Sequence, residues 1–250
     1  MVRKKIRRIY GLDGLKTLAL IGVLIYHTFP SFLPGGFLGV ILFLVISGYL
    51  SAYGSIEKME NGTFSFGKYY LKRIIRLYPS LIIVMLASIG VLTLLDPIRL
   101  ANTQSEVASV MLGYNNFWQI RMNADYFAQL SKNSPFTHLW YIAILLQFDL
   151  VFPFLLKGYT VMKKRSGFWT AAGIGLLAVL LTAVIMPVMY LLGNGENITT
   201  LYYSTFTRIS PLLAGMVLAL VHHERIRILN HHLKRPIFSL GEIAVWTGIF

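Results

Sequence analysis

The sequence predicts an all-α protein, a polytopic transmembrane helical bundle, and three observations carry that prediction. Mean hydropathy is +0.63, with 56% hydrophobic and 13% charged residues. Several apolar runs reach the roughly 18–20 residues that a helix needs to cross a hydrocarbon core. They are continuous rather than alternating, which argues against a β-barrel. The basic residues of this +13 chain sit in the gaps between those runs, the pattern of topology and headgroup attraction rather than of nucleic-acid binding. The chain has no cysteine, so disulfides, thiol nucleophiles and thiolate metal sites are excluded.

The first span, Leu15–Phe32, follows the basic segment MVRKKIRRIYGLDG. It is read as retained rather than as a signal peptide, being too long, carrying Lys16 and His27, and lacking a small-residue cleavage site. Pro30 and the turn Pro34-Gly35-Gly36 close it. In span 2, Gly36–Tyr53, the small residues Gly36, Gly39, Ser47 and Gly48 permit a neighbouring helix to come close. A polar loop, Gly54–Lys68, leads to the basic run Lys72-Arg73-Ile74-Ile75-Arg76 and to span 3, Pro79–Leu95. Residues 98–137 form a long polar connection. Within it Val107–Ile120, with Asn115, Asn116 and Gln119, is too polar to span and is read as interfacial or re-entrant. Span 4 is Leu139–Leu156, span 5 Phe168–Leu192 and span 6 Tyr203–Val221. A further apolar run starts at Pro236 and meets the last residue, Phe250. The expectation is six complete spans plus the start of a seventh, with residues 1–250 the N-terminal part of a longer membrane domain.

Charge tests this layout. Successive gaps carry Lys/Arg at positions 3, 4, 5, 7 and 8; none; 58, 68, 72, 73 and 76; 99, 121 and 132; 157, 163, 164 and 165; none; and 225, 227, 234 and 235. The alternation places the basic gaps on one side, and the positive-inside rule then puts the N-terminus in the cytoplasm of a multi-pass protein of the cytoplasmic membrane. Making Val107–Ile120 a full span destroys that alternation.

One stretch concentrates the polar chemistry. On the helix predicted from Leu12 to His27, Lys16 and His27 lie about 20° apart in azimuth and about 16 Å apart along the axis. Asp13 stands three residues before Lys16. Ionisable groups inside a span are functional candidates because burying them unpaired is costly.

Four stretches in this order, GLDGLKTLALIGVLIYH, GGFLGVILFLVISGYL, YYLKRIIRLYPSL and THLWYIAILLQFDLVFP, with a weaker fifth, STFTRISPLLAG, resemble those of the acyltransferase-3 family of integral membrane acyltransferases. The first is similar to the family's basic-residue, ten-spacer, histidine motif and supplies Lys16 and His27. The second has the glycine-rich form ending in SGY. The third supplies Arg73 and Arg76 before a Tyr-Pro, the fourth a His-x-Trp followed by Gln-Phe, and the fifth Arg208 and Gly215. The chain departs from the family at Ile41, where an acid is common, at Leu145, where a glutamate is common, and at Asp149, where a tyrosine is common.

The resemblance implies an O-acyltransferase that moves an acyl group, acetyl first among them, from cytosolic acetyl-CoA to a hydroxyl of an extracytoplasmic glycan. Peptidoglycan is the first acceptor to consider, with an extracellular esterase-like domain or partner accompanying the membrane part. It implies catalysis at His27, whose imidazole suits either proton abstraction from a hydroxyl or the carrying of an acyl group; the plainer reading is a structural histidine. Lys16, with Asp13, either orients the donor or forms a structural i, i+3 pair. Arg73 and Arg76 suit the phosphates of coenzyme A, or else lipid headgroups. On the acceptor side stand His138 and Trp140, with Trp140 also a possible interfacial anchor. Asp149 and Arg208, grouped with His138 and Trp140 as substrate-binding candidates, are in-span charges that each need a partner, and pairing with one another is one option. His222, His223, His231 and His232 lie in a basic segment, and no metal site is expected there. The rival class is a transporter or lipid-binding module that uses the same charges for passage; it predicts internal repeats, and none is visible.

Overall fold

The computed structural model describes residues 11–100, 103–122, 136–193 and 198–233. Among them there is no strand. The helices are α1 (Leu12–Thr28), α2 (Gly39–Tyr53), α3 (Ile56–Glu60), α4 (Phe66–Leu95), α5 (Thr103–Met111), α6 (Asn115–Arg121), α7 (Trp140–Ser166), α8 (Phe168–Leu192), α9 (Ile198–Tyr203) and α10 (Thr205–Leu233). Short 3-10 turns at Pro34–Leu38, Pro97–Leu100 and Thr137–Leu139 precede α2, α5 and α7.

Among the described residues five helical segments are long and apolar enough to cross a membrane: Pro34–Glu60, Phe66–Leu95, Thr137–Ser166, Phe168–Leu192 and Ile198–Leu229. These are the marks of a multi-pass membrane protein. The predicted first span forms the shorter helix α1, whose 17 residues rise about 26 Å. The predicted seventh, from Pro236, lies outside the described residues, as do residues 1–10.

The centre of the bundle is the crossing of α2 and α10. A Cβ on Gly48 would stand 2.0 Å from the Leu212 carbonyl oxygen, and one on Gly215 would stand 1.9 Å from that of Val45. The two backbones therefore touch, as small residues permit between membrane helices. α7 covers this pair with Ile144, Phe148, Phe152 and Leu156, which pack with Leu44, Leu212 and Met216. α8 leans on the outside and shows its apolar side chains outward: Leu181 and Leu192 are 62% and 81% exposed, as suits lipid. α1 is held by a second small-residue seam, where a Cβ on Gly36 would lie 2.2 Å from Gly22 O and one on Gly39 2.5 Å from Ala19 O.

Three boundaries differ from the sequence expectation. Span 3 does not begin at Pro79. Ser65 caps α4, its hydroxyl accepting from the Lys68 N–H at 3.4 Å, and the helix runs on through Pro79, so the basic run lies on its first turns. Internal prolines also occur in α7, α8 and α10 (Pro153, Pro187, Pro211), which membrane helices tolerate because neighbouring groups satisfy the backbone. Likewise α7 and α10 continue past Leu156 and Val221 as polar extensions. The Val107–Ile120 stretch is two short helices turned back at Gly113, whose φ is +74°. Its polar residues face inward: Asn115, Asn116 and Gln119 are buried.

Candidate active site

The polar side chains gather at two ends of the bundle. At the end where α1 finishes and α7 starts, His27 and His138 meet edge to face with ring centroids 4.6 Å apart. The backbone on each side explains the contact. The Gly36 and Gly39 seam fixes α1, Val23 included, and the Val23 carbonyl lies 2.7 Å from His27 Nδ1. A carbonyl can only accept, so Nδ1 carries the proton and, in the neutral ring, Nε2 holds the lone pair. Tyr26 stands edge-on to His27 at 5.6 Å and to Phe37 at the same distance.

Two residues beyond His138, Trp140 is buried against Tyr202 and Tyr203, with centroids 5.1 and 5.5 Å away. Arg208 lies over Tyr202 at 4.6 Å and over Trp140 at 5.9 Å, and its Nε donates to the Tyr202 carbonyl at 2.8 Å. Trp140 is thus a packed platform for a buried guanidinium rather than an interfacial anchor. Behind it runs a network that the sequence did not reveal. Gln147 Nε2 donates to Gly113 O and Asn116 Oδ1, both at 2.9 Å, and its Oε1 accepts from Thr205 Oγ1 at 2.5 Å. Gln119 Nε2 donates to buried Glu106 at 2.9 Å. These bonds tie α5 and α6 to α7 and α10.

At the other end a cleft of about 410 Å3 opens between α2, the α3–α4 connection and the first turns of α4. Its lining includes Lys58, Lys68, Lys72, Arg73 and Arg76, together with Ser51, Ser55, Ser65 and Tyr69. Five cations around one concavity suit a polyanionic ligand. Arg73 differs from the others in being half-buried: it pairs with Asp149 at 3.2 Å and its Nε donates to Tyr69 Oη at 3.3 Å. Its Nη2 also donates to the Ser51 hydroxyl.

Asp149 therefore pairs with Arg73 and not with Arg208. It belongs to the basic end of the bundle, whereas the sequence grouped it with the acceptor-side residues; the reason is that α4 starts thirteen residues earlier than expected, at Phe66 instead of Pro79, and carries Arg73 alongside α7. Asp149 is about 16 Å along α7 from His138. A polar line joins the two levels: Ser51 Oγ donates to Ser47 O at 2.7 Å, and Ser47 Oγ meets Tyr141 Oη at 3.3 Å. Tyr141 lies three residues from His138.

Asp13 and Lys16 form a 3.6 Å pair, 59% and 35% exposed, at the start of α1, about 16 Å from the level of His27. His222 contacts Tyr49 Oη, and His223 Nε2 lies 3.0 Å from Glu60, so these two imidazoles serve different partners. The side chains of His231 and His232 lie outside those described. Among the described residues no three His, Asp or Glu side chains gather as metal ligands.

The fold is thus a bundle of membrane-length helices with an imidazole pair at one end and a cationic cleft at the other. The acyltransferase domain family matches residues 9–250, and the chain belongs to this family, acyltransferase-3. Among curated relatives, O-acetyltransferase OatA of Staphylococcus aureus (strain NCTC 8325 / PS 47) is 33% identical over 225 residues, 86% of this chain and 35% of that protein. YrhL of Bacillus subtilis (strain 168), provisionally named a peptidoglycan O-acetyltransferase, is 36% identical over 222 residues, 86% of this chain and 33% of that protein. The chain thus spans about a third of the length of the curated relatives it matches. No solved structure matches it.

Proposed function

We propose that this chain is the membrane part of an O-acyltransferase that takes an acyl group, acetyl first among candidates, from cytosolic acyl-CoA to a hydroxyl of an extracytoplasmic glycan such as peptidoglycan. The observation that carries this reading is the separation of the two sites within one bundle. A cation-lined cleft fitted to the phosphates of coenzyme A lies at one end, and an imidazole with an accepting Nε2 lies at the other. The basic gaps in the sequence support a cytoplasmic position for the cleft. The name of YrhL, with its peptidoglycan acceptor, supports the acceptor class.

In this mechanism Lys68, Lys72 and Arg76 hold the donor phosphates. The uncharged pantetheine arm is long enough to follow the Ser51–Ser47–Tyr141 line towards His27. His27 Nε2 takes the proton of the acceptor hydroxyl as its oxygen bonds to the thioester carbonyl carbon. The C–S bond breaks, and the departing thiolate receives that proton. His138 beside His27 and the Arg208–Trp140 platform shape the acceptor end. Asp13 and Lys16 mark the cytoplasmic entrance of α1.

The test uses the full-length protein in its membrane with labelled acetyl-CoA, comparing wild type with His27→Ala. The expected result is loss of glycan O-acetylation in the variant, with the protein still present and folded. Wild-type labelling of the cell-wall glycan by His27→Ala overturns the catalytic assignment. A wild-type protein that transfers label to no glycan and turns over no thioester favours a transporter or lipid-binding module.

A further inference from the structure

We propose that Asp149 is a positioning residue of the donor cleft: with Tyr69 it holds Arg73 at the cleft's inner end to meet the uncharged pantetheine arm of acyl-CoA as it enters the bundle, leaving the phosphates to the exposed cations. This inference rests on the donor reading above and divides the labour within that site.

The geometry separates Arg73 from its neighbours. Lys68, Lys72 and Arg76 are exposed on the rim, whereas the Arg73 side chain is 22% exposed and its partner Asp149 only 9%. Three groups fix the guanidinium. Asp149 Oδ1 lies 3.2 Å from Nη2, Tyr69 Oη accepts from Nε at 3.3 Å, and Ser51 Oγ accepts from Nη2. Tyr69 in turn donates to Asp149 Oδ1 at 2.7 Å, and its ring lies under the guanidinium at 5.2 Å. Of the five N–H groups of an arginine, these contacts engage the one on Nε and those on Nη2, and the two on Nη1 remain to serve a ligand.

Electrostatics points the same way. A guanidinium neutralised by a buried carboxylate presents a dipole rather than a net charge, so its pull on a phosphate is much reduced. It still donates hydrogen bonds well, which suits the neutral amide carbonyl oxygens of the pantetheine arm and so sets where the thioester beyond them arrives. Among the described residues no carboxylate lines the cleft; Asp149 acts on Arg76 only through space, and Lys68 and Lys72 keep their full charge for the phosphates. Ser51 connects Arg73 to the polar line, so the guanidinium stands where the cleft passes into the bundle.

The experiment compares wild type, Asp149→Asn, Asp149→Glu, Tyr69→Phe and Arg76→Ala in the full-length protein. It measures kcat and KM with acetyl-CoA, and inhibition by adenosine 3′,5′-bisphosphate as a probe of the phosphate subsite. Asp149→Asn is expected to lower kcat about 10²-fold, the scale of a small misplacement of a reacting group, and to leave bisphosphate inhibition within twofold. Asp149→Glu recovers part of that loss. Tyr69→Phe, which keeps the packing, lowers kcat in the same sense should Asp149→Asn not fold. Arg76→Ala weakens bisphosphate inhibition by tenfold or more. Bisphosphate inhibition weakened by Asp149→Asn as much as by Arg76→Ala makes Arg73 a phosphate ligand and overturns the inference, as does a kcat within twofold of wild type in both Asp149→Asn and Tyr69→Phe. A wild type that neither binds the bisphosphate nor turns over acetyl-CoA overturns the donor reading and this one together.

Discussion

Replacing Gly215 by alanine puts one methyl group into the tightest contact of the bundle. The new Cβ would sit 1.9 Å from Val45 O and 2.8 Å from Tyr49 N. The oxygen belongs to the helix backbone and cannot rotate away. It has to retreat by about 1.1 Å to reach 3.0 Å, the closest approach that real Cβ atoms make. Overpacking of this kind costs about 1–3 kcal/mol. The retreat also lengthens the Cα–H···O contacts that the two glycines make across the crossing, worth about 0.5–1 kcal/mol each, while alanine returns about 1 kcal/mol of helix propensity. The net is a loss of about 1–4 kcal/mol, centred near 2.5. At about 2–4 °C per kcal/mol this lowers the melting temperature by roughly 5–10 °C. The measurement is thermal unfolding of the purified protein in detergent, followed by intrinsic tryptophan fluorescence. Gly90→Ala and Gly173→Ala are the controls: a Cβ at either position meets nothing within 4 Å, so both leave the midpoint unchanged or raise it slightly. A Gly215→Ala protein that melts within 1 °C of wild type, or a control that falls as far, refutes the backbone-contact argument.

Two further outcomes follow from the charged groups. Lys163 Nζ holds Glu60 at 2.6 Å and Glu224 at 2.5 Å, with side chains 11%, 21% and 5% exposed. Lys163→Met leaves Glu60 with His223 and Glu224 with the exposed Arg227 as remaining partners and costs about 1.5–3 kcal/mol, seen as a lower melting temperature that the added changes Glu60→Gln and Glu224→Gln restore in part; an unchanged midpoint in the single variant contradicts this. Asp13→Asn breaks a pair whose partners are both at least a third exposed, so its effect on stability stays within about 0.5 kcal/mol. A larger fall in the same melt means that the pair does more than sit on the surface.

The hydrophobic pattern made the helices legible because length and polarity are local. The segment Phe168–Leu192 was bounded by its sequence at both ends, since Gly167 and Gly193 flank an uninterrupted apolar run. The close approaches at Gly36, Gly39 and Gly48 were legible too, because only small residues allow two backbones to touch. Pro79 misled for a physical reason: proline is a good first residue of a helix, but inside a membrane helix the lost bond is tolerated. His27, Arg73 and Arg76 stood out as ionisable groups in or beside apolar runs. Their partners did not. Whether Asp149 meets Arg73 or Arg208 depends on how far α4 slides along α7, which no residue type encodes by itself. Tyr69 stands four residues before Arg73, but nothing in the sequence singles it out, and its bond to Asp149 needs the same register. Gln147 lies in the recognised Gln-Phe segment, but its three partners come from α6, the Gly113 turn and α10.

The shortness of α1 bears on how a bilayer fits around this bundle. A helix rising about 26 Å in a hydrocarbon layer of about 30 Å produces hydrophobic mismatch, which a bilayer relieves by thinning locally. The shortfall is about 4 Å, and it lies beside the helix whose last turn carries His27. Any polar group that enters beside a short helix has less hydrocarbon to cross, and so less desolvation to bear, than it has beside a full-length span.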